Sequence, residues 1–230
     1  GGSAIGNNAA LSSRTLTGND ISLANIGGAA SGVTGATSVT ATNAGDTALL
    51  TLTGTIYKTD GTQSYTGGAT DGTSLTGAGV AVTTTADNVT FTNTTTLGDG
   101  AALTVTTAGS APGSGDISFG AIRGTSSEDL ILNAASANVT VGGVGTADEI
   151  ETVAVTGAAI TLTGNITTAN TATNTVDLTG AVTLGANVTI DTDNAANDGN
   201  VTFTSTIDAD NSTTADRTLT ITAGSATVNI

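Results

Sequence analysis

Short alternations of aliphatic and polar residues recur along the whole of this 230-residue chain and predict β-strands. Three pairs of aliphatic residues make the clearest case, each pair six residues after the last: Val176 and Leu178, Val182 and Leu184, Val188 and Ile190. Because alternate side chains of a strand point to opposite sides, each pair marks a short strand with both aliphatic side chains inward. Small or polar residues between the pairs predict corners. This spacing is typical of a chain that winds round a solenoid.

A second phrase recurs at irregular intervals: residues 50–56 read LTLTGTI, residues 160–166 read ITLTGNI and residues 201–207 read VTFTSTI. In each, two inward apolar residues precede a corner and then another inward Ile. The irregular spacing favours a right-handed parallel β-helix with variable loops, because a left-handed hexapeptide helix keeps strict six-residue steps. We predict an all-β fold with one continuous domain, residues 1–230, of about ten coils of about 20 to 25 residues each. Residues 57–74, with both tyrosines and the lysine, are predicted to form its longest loop.

The two ends of the chain, joined, repeat the spacing of its middle. Residues 201–230 followed by 1–26 match residues 117–166, and a Gly pair follows the last aliphatic residue in both. This pattern predicts a head-to-tail assembly interface, with neither end capped. We expect it to contain Gly1, Gly2, Ile5, Leu219, Ile221, Val228 and Ile230. In the middle copy, Leu130, Leu132, Val139 and Val141 stand where the last four of these stand at the end.

Charge and composition narrow the classes of function. The formal net charge is −15 with four Lys and Arg residues in total, which argues against a basic surface for nucleic acid or an anionic membrane. The chain has no His and no Cys, which excludes His-assisted serine hydrolysis and cysteine nucleophiles. No apolar run approaches the about 18 residues of a membrane span. The absence of Met predicts a processed or excised piece of a longer chain.

Carboxylates are the remaining candidates for chemistry. Glu149 and Glu151 lie on one side of a short predicted strand and could serve as an acid and base pair, although an exposed acidic edge explains them equally well. We predict no catalytic residues and no enzyme activity. Turns rich in Asp offer hard oxygen ligands for calcium but lack a complete calcium loop, and Asp is an ordinary turn residue. These calcium candidates are Asp191, Asp193, Asp198, Asp208 and Asp210, and no other cofactor is predicted.

Two polar motifs have simple structural interpretations. Asn-X-Ser/Thr sequons occur at Asn88, Asn165, Asn187 and Asn200 among others, and we expect these side chains to stack at corners between coils rather than to carry glycans. Thr-X-Thr recurs too, and could bind ice if it formed a flat array on one face. It is scattered at uneven intervals, however, and strand alternation alone places Thr outward wherever aliphatic residues point inward.

Several phrases, among them DGNVTFTSTIDAD, RTLTITAGSATVNI and TGAVTLGANVTI, resemble the β-strand repeat regions of large bacterial exoproteins similar to filamentous haemagglutinin. This resemblance implies a secreted β-helical fibre used for adhesion or surface structure. The first hypothesis is therefore a non-enzymatic module of an extracellular or cell-surface fibre, whose partners are further copies of itself and surface glycans. The alternatives are a surface-layer lattice protein with β-sandwich domains and calcium-dependent assembly, and a β-helical carbohydrate-active enzyme.

Overall fold

The computed structural model describes residues 11–28, 32–125, 127–145, 147–194, 196–210 and 216–230. These residues form 25 strands and no helix, and parallel strands stack into a β-solenoid of about eight turns. The predicted parallel solenoid is confirmed, whereas the predicted number of about ten coils is too high. Coil length varies more than the predicted range of about 20 to 25 residues: Asn138 pairs with Ala159, 21 residues later, whereas Val89 pairs with Ile117, 28 residues later.

The solenoid has three sheet faces, which the chain visits in turn. Face 1 contains, in stacking order, β1 (Arg14–Gly18), β3 (Thr37–Ala41), β6 (Gln63–Thr66), β9 (Val89–Thr92), β12 (Ile117–Phe119), β15 (Asn138–Val141), the second half of β16 (Thr152–Leu162), the second half of β18 (Thr175–Leu184) and β23 (Ile207–Ala209). Face 2 contains β2 (Ile21–Leu23), β4 (Leu50–Leu52), β7 (Thr73–Leu75), β10 (Thr95–Leu97), β13 (Ile122–Arg123), β17 (Ile166–Thr167), β19 (Val188–Asp191) and β24 (Leu219–Thr222), with Val144 bridging β13 and β17. Face 3 contains β5 (Ile56–Lys58), β8 (Val80–Thr83), β11 (Leu103–Thr106), β14 (Asp129–Asn133), the first halves of β16 and β18, β22 (Asn200–Phe203) and β25 (Val228–Asn229).

Pairing between these strands is parallel throughout, and a short antiparallel hairpin of β20 (Asp193–Asn194) and β21 (Asn197–Asp198) projects from one corner. Inside β16 and β18 the chain turns from face 3 to face 1 without leaving the sheet, at a shift in register. The turn in β18 needs glycine: Gly180 has a φ of 138°, and a Cβ there would lie 1.9 Å from the Gly157 carbonyl oxygen.

Inward aliphatic side chains form one continuous core along the axis. The three predicted pairs confirm how the chain winds. Val176 and Leu178 lie on face 3, Val182 and Leu184 on face 1, and Val188 and Ile190 on face 2, all buried. Neighbouring coils supply the core face that each coil lacks on its own.

The match between the joined ends and the middle of the chain is wrong as a guide to stacking. Leu130 and Leu132 lie on face 3, whereas their counterparts Leu219 and Ile221 lie on face 2. Val139 lies on face 1, whereas Val228 lies on face 3. Leu219, Ile221 and Val228 do lie in register with the buried Val188, Ile190 and Val201. The spacing therefore does not identify the face to which a strand belongs.

The predicted loop at residues 57–74 is also wrong. β5, β6 and the start of β7 fall within it, and both Tyr57 and Tyr65 are fully buried. The Tyr65 ring lies 4.7 Å from the Phe91 ring, centre to centre, and the Phe91 ring lies 4.6 Å from that of Phe119. These residues form an aromatic ladder on the inner side of face 1, with rings spaced like the strands that carry them.

Corner asparagines connect successive coils, as the sequence predicts. The Asn88 side-chain oxygen accepts hydrogen bonds from the backbone N–H groups of Gly115 and Asp116, 27 and 28 residues later, at 3.0 and 2.9 Å. Asn165, Asn187 and Asn200 accept in the same way from the backbone N–H groups of Thr189, Thr218 and Thr227, respectively.

Among the described residues, no helix is long and apolar enough to cross a lipid bilayer.

Candidate assembly edge and acidic cleft

The last described coil presents an open edge. β24 pairs with β19 and β25 pairs with β22, and no described strand pairs with the opposite edge of either. Val228 is 41% exposed and Ile230 is 79% exposed, whereas Val201, which stacks directly beneath Val228, is fully buried. Leu219 and Ile221 are half-buried at the same end. An inward apolar column thus continues up to the last described coil.

The structure brings together the C-terminal half of the predicted interface and leaves the rest untested. Leu219 and Ile221 on face 2 lie at the same end as Val228 on face 3, and Ile230 follows the face 3 strand. The other predicted interface residues, Gly1, Gly2 and Ile5, lie outside the described residues.

At the opposite end, Arg14 points inward from β1. Its side chain is more than nine-tenths buried, and within the described part of the chain its Nη1 atom has no hydrogen-bond partner. Loss of hydration lowers the pKa of the Arg14 guanidinium, an effect that the nearby Tyr65 and Tyr57 hydroxyls oppose. The sequence does not predict a charged group inside the first described coil, because Arg14 precedes a Thr-Leu-Thr alternation typical of the solvent-facing start of a strand.

A hydrogen-bonded polar cluster lies next to Arg14 in the core. The Tyr57 hydroxyl donates to the Leu23 carbonyl oxygen at 2.9 Å and accepts from the Gly54 N–H at 2.9 Å. The Tyr65 hydroxyl donates to the Gln63 side-chain oxygen at 2.6 Å. Burial raises the pKa of Tyr57 from 10.0 to about 12 and raises that of Tyr65 further. The cluster joins three coils through buried polar contacts.

A small acidic cleft of about 150 Å³ opens where face 2 ends, lined by Glu149, Thr167, Thr168, Asp191 and Asp193. Asp193 pairs with Asp198 across the hairpin. Loss of hydration raises the pKa of Asp193, and the neighbouring Asp198 and Asp191 carboxylates raise it further. Hydrogen bonds from the Ser225 hydroxyl and backbone N–H lower the pKa of Asp198.

The five calcium candidates are not all in one place. Asp191, Asp193 and Asp198 lie around the hairpin, but Asp208 lies on β23 of face 1. Asp210 follows β23 and forms a two-pronged ion pair with Arg217, at 2.9 and 2.8 Å. Among the described residues, no group of three or more His, Cys, Asp or Glu side chains is placed to hold a metal ion. Calcium binding stays a prediction, limited to the hairpin carboxylates.

Glu149 and Glu151 both point outward, since Ile150 between them is fully buried. Glu149 lines the acidic cleft, whereas the Glu151 carboxylate accepts a hydrogen bond from the Thr173 hydroxyl. The two carboxylates therefore have different surroundings. These surroundings do not indicate that one carboxylate acts as an acid and the other as a base.

Glu128 is a fully buried carboxylate that the sequence did not single out. Its side chain accepts hydrogen bonds from the backbone N–H groups of Thr125 at 2.6 Å and Ser127 at 3.2 Å, and from Gly100 of the preceding coil at 3.3 Å. Backbone donors satisfy a buried carboxylate. Glu128 is thus a corner residue that joins two coils.

A second, wider cleft of about 450 Å³ lies on the outer side of face 2 near the first coils. Asp20 and Asp71 border it, together with hydroxyl and aliphatic side chains, and the Asp20 carboxylate accepts a hydrogen bond from the Leu49 N–H at 2.9 Å.

Comparisons with protein-family models, curated proteins and solved structures find no match to this chain.

Proposed function

We propose that this chain is a non-enzymatic structural module of an extracellular or cell-surface fibre or adhesin, which assembles by end-to-end stacking of solenoid coils. The observation that carries the proposal is the uncovered apolar column at the last coil, where Val228 and Ile230 are exposed. The same column is buried in every coil that has another coil above it. The resemblance to β-strand repeats of bacterial exoproteins agrees with a secreted, surface-attached fibre.

An open edge of this kind favours the addition of another coil. A parallel strand edge presents unpaired N–H and C=O groups, which pair readily with a further strand. Exposed Val and Ile side chains add a hydrophobic contribution of about 25 cal/mol for each Å² of apolar surface that becomes buried. Both contributions act in the same place and along the same axis.

The order of the faces supports continuous stacking. The first described strand, β1, lies on face 1, and the last, β25, lies on face 3. Each coil passes through faces 1, 2 and 3 in that order, so a second copy placed on the last coil continues the order without omitting a face. We expect the Gly1, Gly2 and Ile5 segment to lie at this joint.

The other hypotheses have less support. The described residues form a solenoid, so the β-sandwich domains of the surface-layer hypothesis are wrong for this part of the chain. Calcium-dependent assembly remains testable with a chelator. The enzyme hypothesis needs Glu149 and Glu151 to act as a pair, but the two carboxylates have different surroundings. Surface glycans remain a proposed partner.

The test compares two single substitutions on the same strand. Val228→Asp places a charge in the uncovered column, while Asn229→Asp adds the same charge at the next residue, which points outward. We expect the original protein and the Asn229 variant to form rods, seen by electron microscopy and as concentration-dependent sedimentation. The Val228 variant should remain monomeric.

Circular dichroism would show that both variants keep the β-fold. A protein that stays monomeric at all concentrations, or rods that persist unchanged in the Val228 variant, would contradict the proposal. Rods that dissolve in a calcium chelator would instead assign the assembly to bound calcium.

A further inference from the structure

Outward side chains of face 1 form a column of hydroxyl groups in register over eight successive coils. The residues of this column, paired strand to strand, are Thr15, Ser38, Ser64, Thr90, Ser118, Thr140, Thr161 and Thr183. Coil length varies along the sequence, but pairing between strands makes each step along the axis the same. The hydroxyls therefore recur about every 4.8 Å.

A second column runs beside the first over the first four strands of face 1. Thr17, Thr40, Thr66 and Thr92 pair in register, each two residues after a member of the first column. Residues two apart on a strand lie about 6.6 Å from each other on the same side. β1, β3, β6 and β9 thus present a two-column grid of eight hydroxyls, which we call the hydroxyl face.

The hydroxyl groups of the hydroxyl face are free to bind a ligand, and part of the face lies over packed aromatic rings. Within the described part of the chain, none of its eight hydroxyls forms a hydrogen bond to another protein group, and all are exposed or half-exposed. The stacked rings of Tyr65 and Phe91 lie directly beneath its last two strands. Close-packed aromatic rings restrict movement of the two strands that carry them.

The hydroxyl face is uncharged in a chain of net charge −15. No charged side chain occupies either of its columns, and the first column meets a charge only at Asp208 in the ninth coil. The outward positions of face 2 include Arg123 and Asp191, and those of face 3 include Lys58 and Asp177. Because the hydroxyl face is uncharged and regularly spaced, it suits a ligand that is neutral and periodic.

We propose that the hydroxyl face binds ice. Each hydroxyl offers one donor and two acceptors, so the grid can hold water molecules in a repeating pattern comparable in spacing to the oxygen lattice of ice. Threonine methyl groups between the hydroxyls supply apolar contact. This inference concerns the side of the rod and does not depend on stacking at its end.

A neutral polysaccharide is the competing ligand, and the aromatic residues argue against it. Sugars bind proteins largely by stacking on exposed aromatic rings. All five aromatic side chains of this chain are buried: Tyr57, Tyr65, Phe91, Phe119 and Phe203. The surface therefore offers no ring on which a sugar could stack.

The sequence obscured this grid for two reasons. Thr-X-Thr repeats such as those at residues 51–53, 90–92 and 104–106 lie on faces 2, 1 and 3, so the repeat itself is scattered. The grid also includes Ser38 and Ser64, which a search for Thr alone omits. Only the strand register places these residues in one array.

The test places two lysines within the grid and two outside it. Thr66→Lys with Thr90→Lys disrupts the hydroxyl face, while Thr104→Lys with Thr106→Lys makes the same change at half-exposed outward positions of β11 on face 3. Thermal hysteresis and partition of the protein into slowly growing ice measure the activity. We expect the original protein and the face 3 variant to be active, and the hydroxyl-face variant to fall to the level of a non-binding control protein.

Exclusion of the original protein from ice would overturn the proposal, as would equal loss in both variants. Retention on insoluble neutral polysaccharide that only the hydroxyl-face variant loses, without ice activity, would assign the face to a glycan instead. Thermal unfolding followed by circular dichroism keeps a failure to fold distinct from a loss of binding.

Discussion

Individual buried polar residues fix the first coils of the solenoid relative to each other. Gln63 donates from its side-chain nitrogen to the carbonyl oxygens of Tyr57 at 3.1 Å and Thr83 at 2.9 Å, while its side-chain oxygen accepts from Tyr65. An unsatisfied buried polar group costs about 1 to 3 kcal/mol, so any shift in register that breaks these bonds is penalised. The cluster therefore specifies one alignment of strands, which a purely aliphatic core does not do.

These tyrosines predict a loss of stability at alkaline pH. The pKa of Tyr57 rises from 10.0 to about 12 on folding, and that of Tyr65 rises further, both because burial disfavours the phenolate. Above about pH 10 the unfolded chain releases these protons while the folded chain retains them, so the free energy of unfolding falls as pH rises. Melting temperatures measured by circular dichroism from about pH 8 to about pH 12 should therefore decline, starting near pH 10. Replacing both tyrosines by Phe should flatten that decline, and an unchanged slope would show that other groups cause it.

At the scale of elements, the aromatic ladder and the corner asparagines connect each strand to the next coil. Phe91 stacks between Tyr65 and Phe119 in the inner row of face 1, with its ring nearly parallel to that of Phe119. The Asn88 side chain, at the start of the same strand, bonds to the backbone of the coil above. Packing and hydrogen bonding thus stabilise the same pair of coils.

Removing the central ring should destabilise the solenoid strongly. Phe91→Ala leaves a cavity between two rings and should lower the free energy of unfolding by about 3 to 5 kcal/mol. Phe91→Leu keeps most of the volume and should cost less than about 1.5 kcal/mol. Urea unfolding followed by circular dichroism measures both. Equal effects of the two substitutions would mean that the ring is not packed between its neighbours.

Strand alternation predicted the elements better than it predicted their faces. Val182 and Leu184 could be recognised as inward because aliphatic and polar residues alternate about them. The phrase at residues 50–56 recurs at residues 160–166 and 201–207, yet these copies lie on faces 2, 1 and 3. The reason is physical: every corner can be made from the same Gly, Ser or Asn residues, so a local pattern contains no record of the face.

Polar residues inside the core also limit how well the buried positions can be predicted from sequence. Thr73 and Thr95 point inward on face 2 beside Leu50 and Ile122, and both are fully buried. Tertiary stacking decides these positions, since the neighbouring coils, and not the local alternation, determine which side chains are enclosed. For the candidate sites, the exposed C-terminal residues could be predicted from sequence, whereas the hydroxyl face required strand register.

At the scale of the whole molecule, stability should follow the number of intact stacked coils. In a solenoid, each coil contacts only its neighbours, so the total free energy of unfolding is approximately the sum of the contributions of the coils and of the interfaces between them. Ala159 pairs with Ala181, and both begin the face 1 part of a coil. Deleting residues 159–180 therefore removes one complete coil and joins two equivalent positions.

We expect this deletion to leave a folded and cooperatively unfolding protein, shorter along its axis by about 4.8 Å. Deleting only residues 159–169 should instead place every later strand on the wrong face and cause aggregation. Circular dichroism and small-angle scattering distinguish these outcomes. Equal tolerance of both deletions would contradict stacking in fixed register.

The unequal length of the coils has a mechanical consequence. Hydrogen bonds between coils run along the axis, so a force that pulls the rod from its two ends loads the coil interfaces one after another. Measured from strand to strand on face 1, each coil that detaches releases 21 to 28 residues of chain, which extend to roughly 70 to 100 Å. A rod that grows by only about 4.8 Å for each coil can thus lengthen about fifteen- to twentyfold where a coil opens. Under tension the same molecule would act as an extensible tether, in which sacrificed coils absorb work before the chain itself is strained.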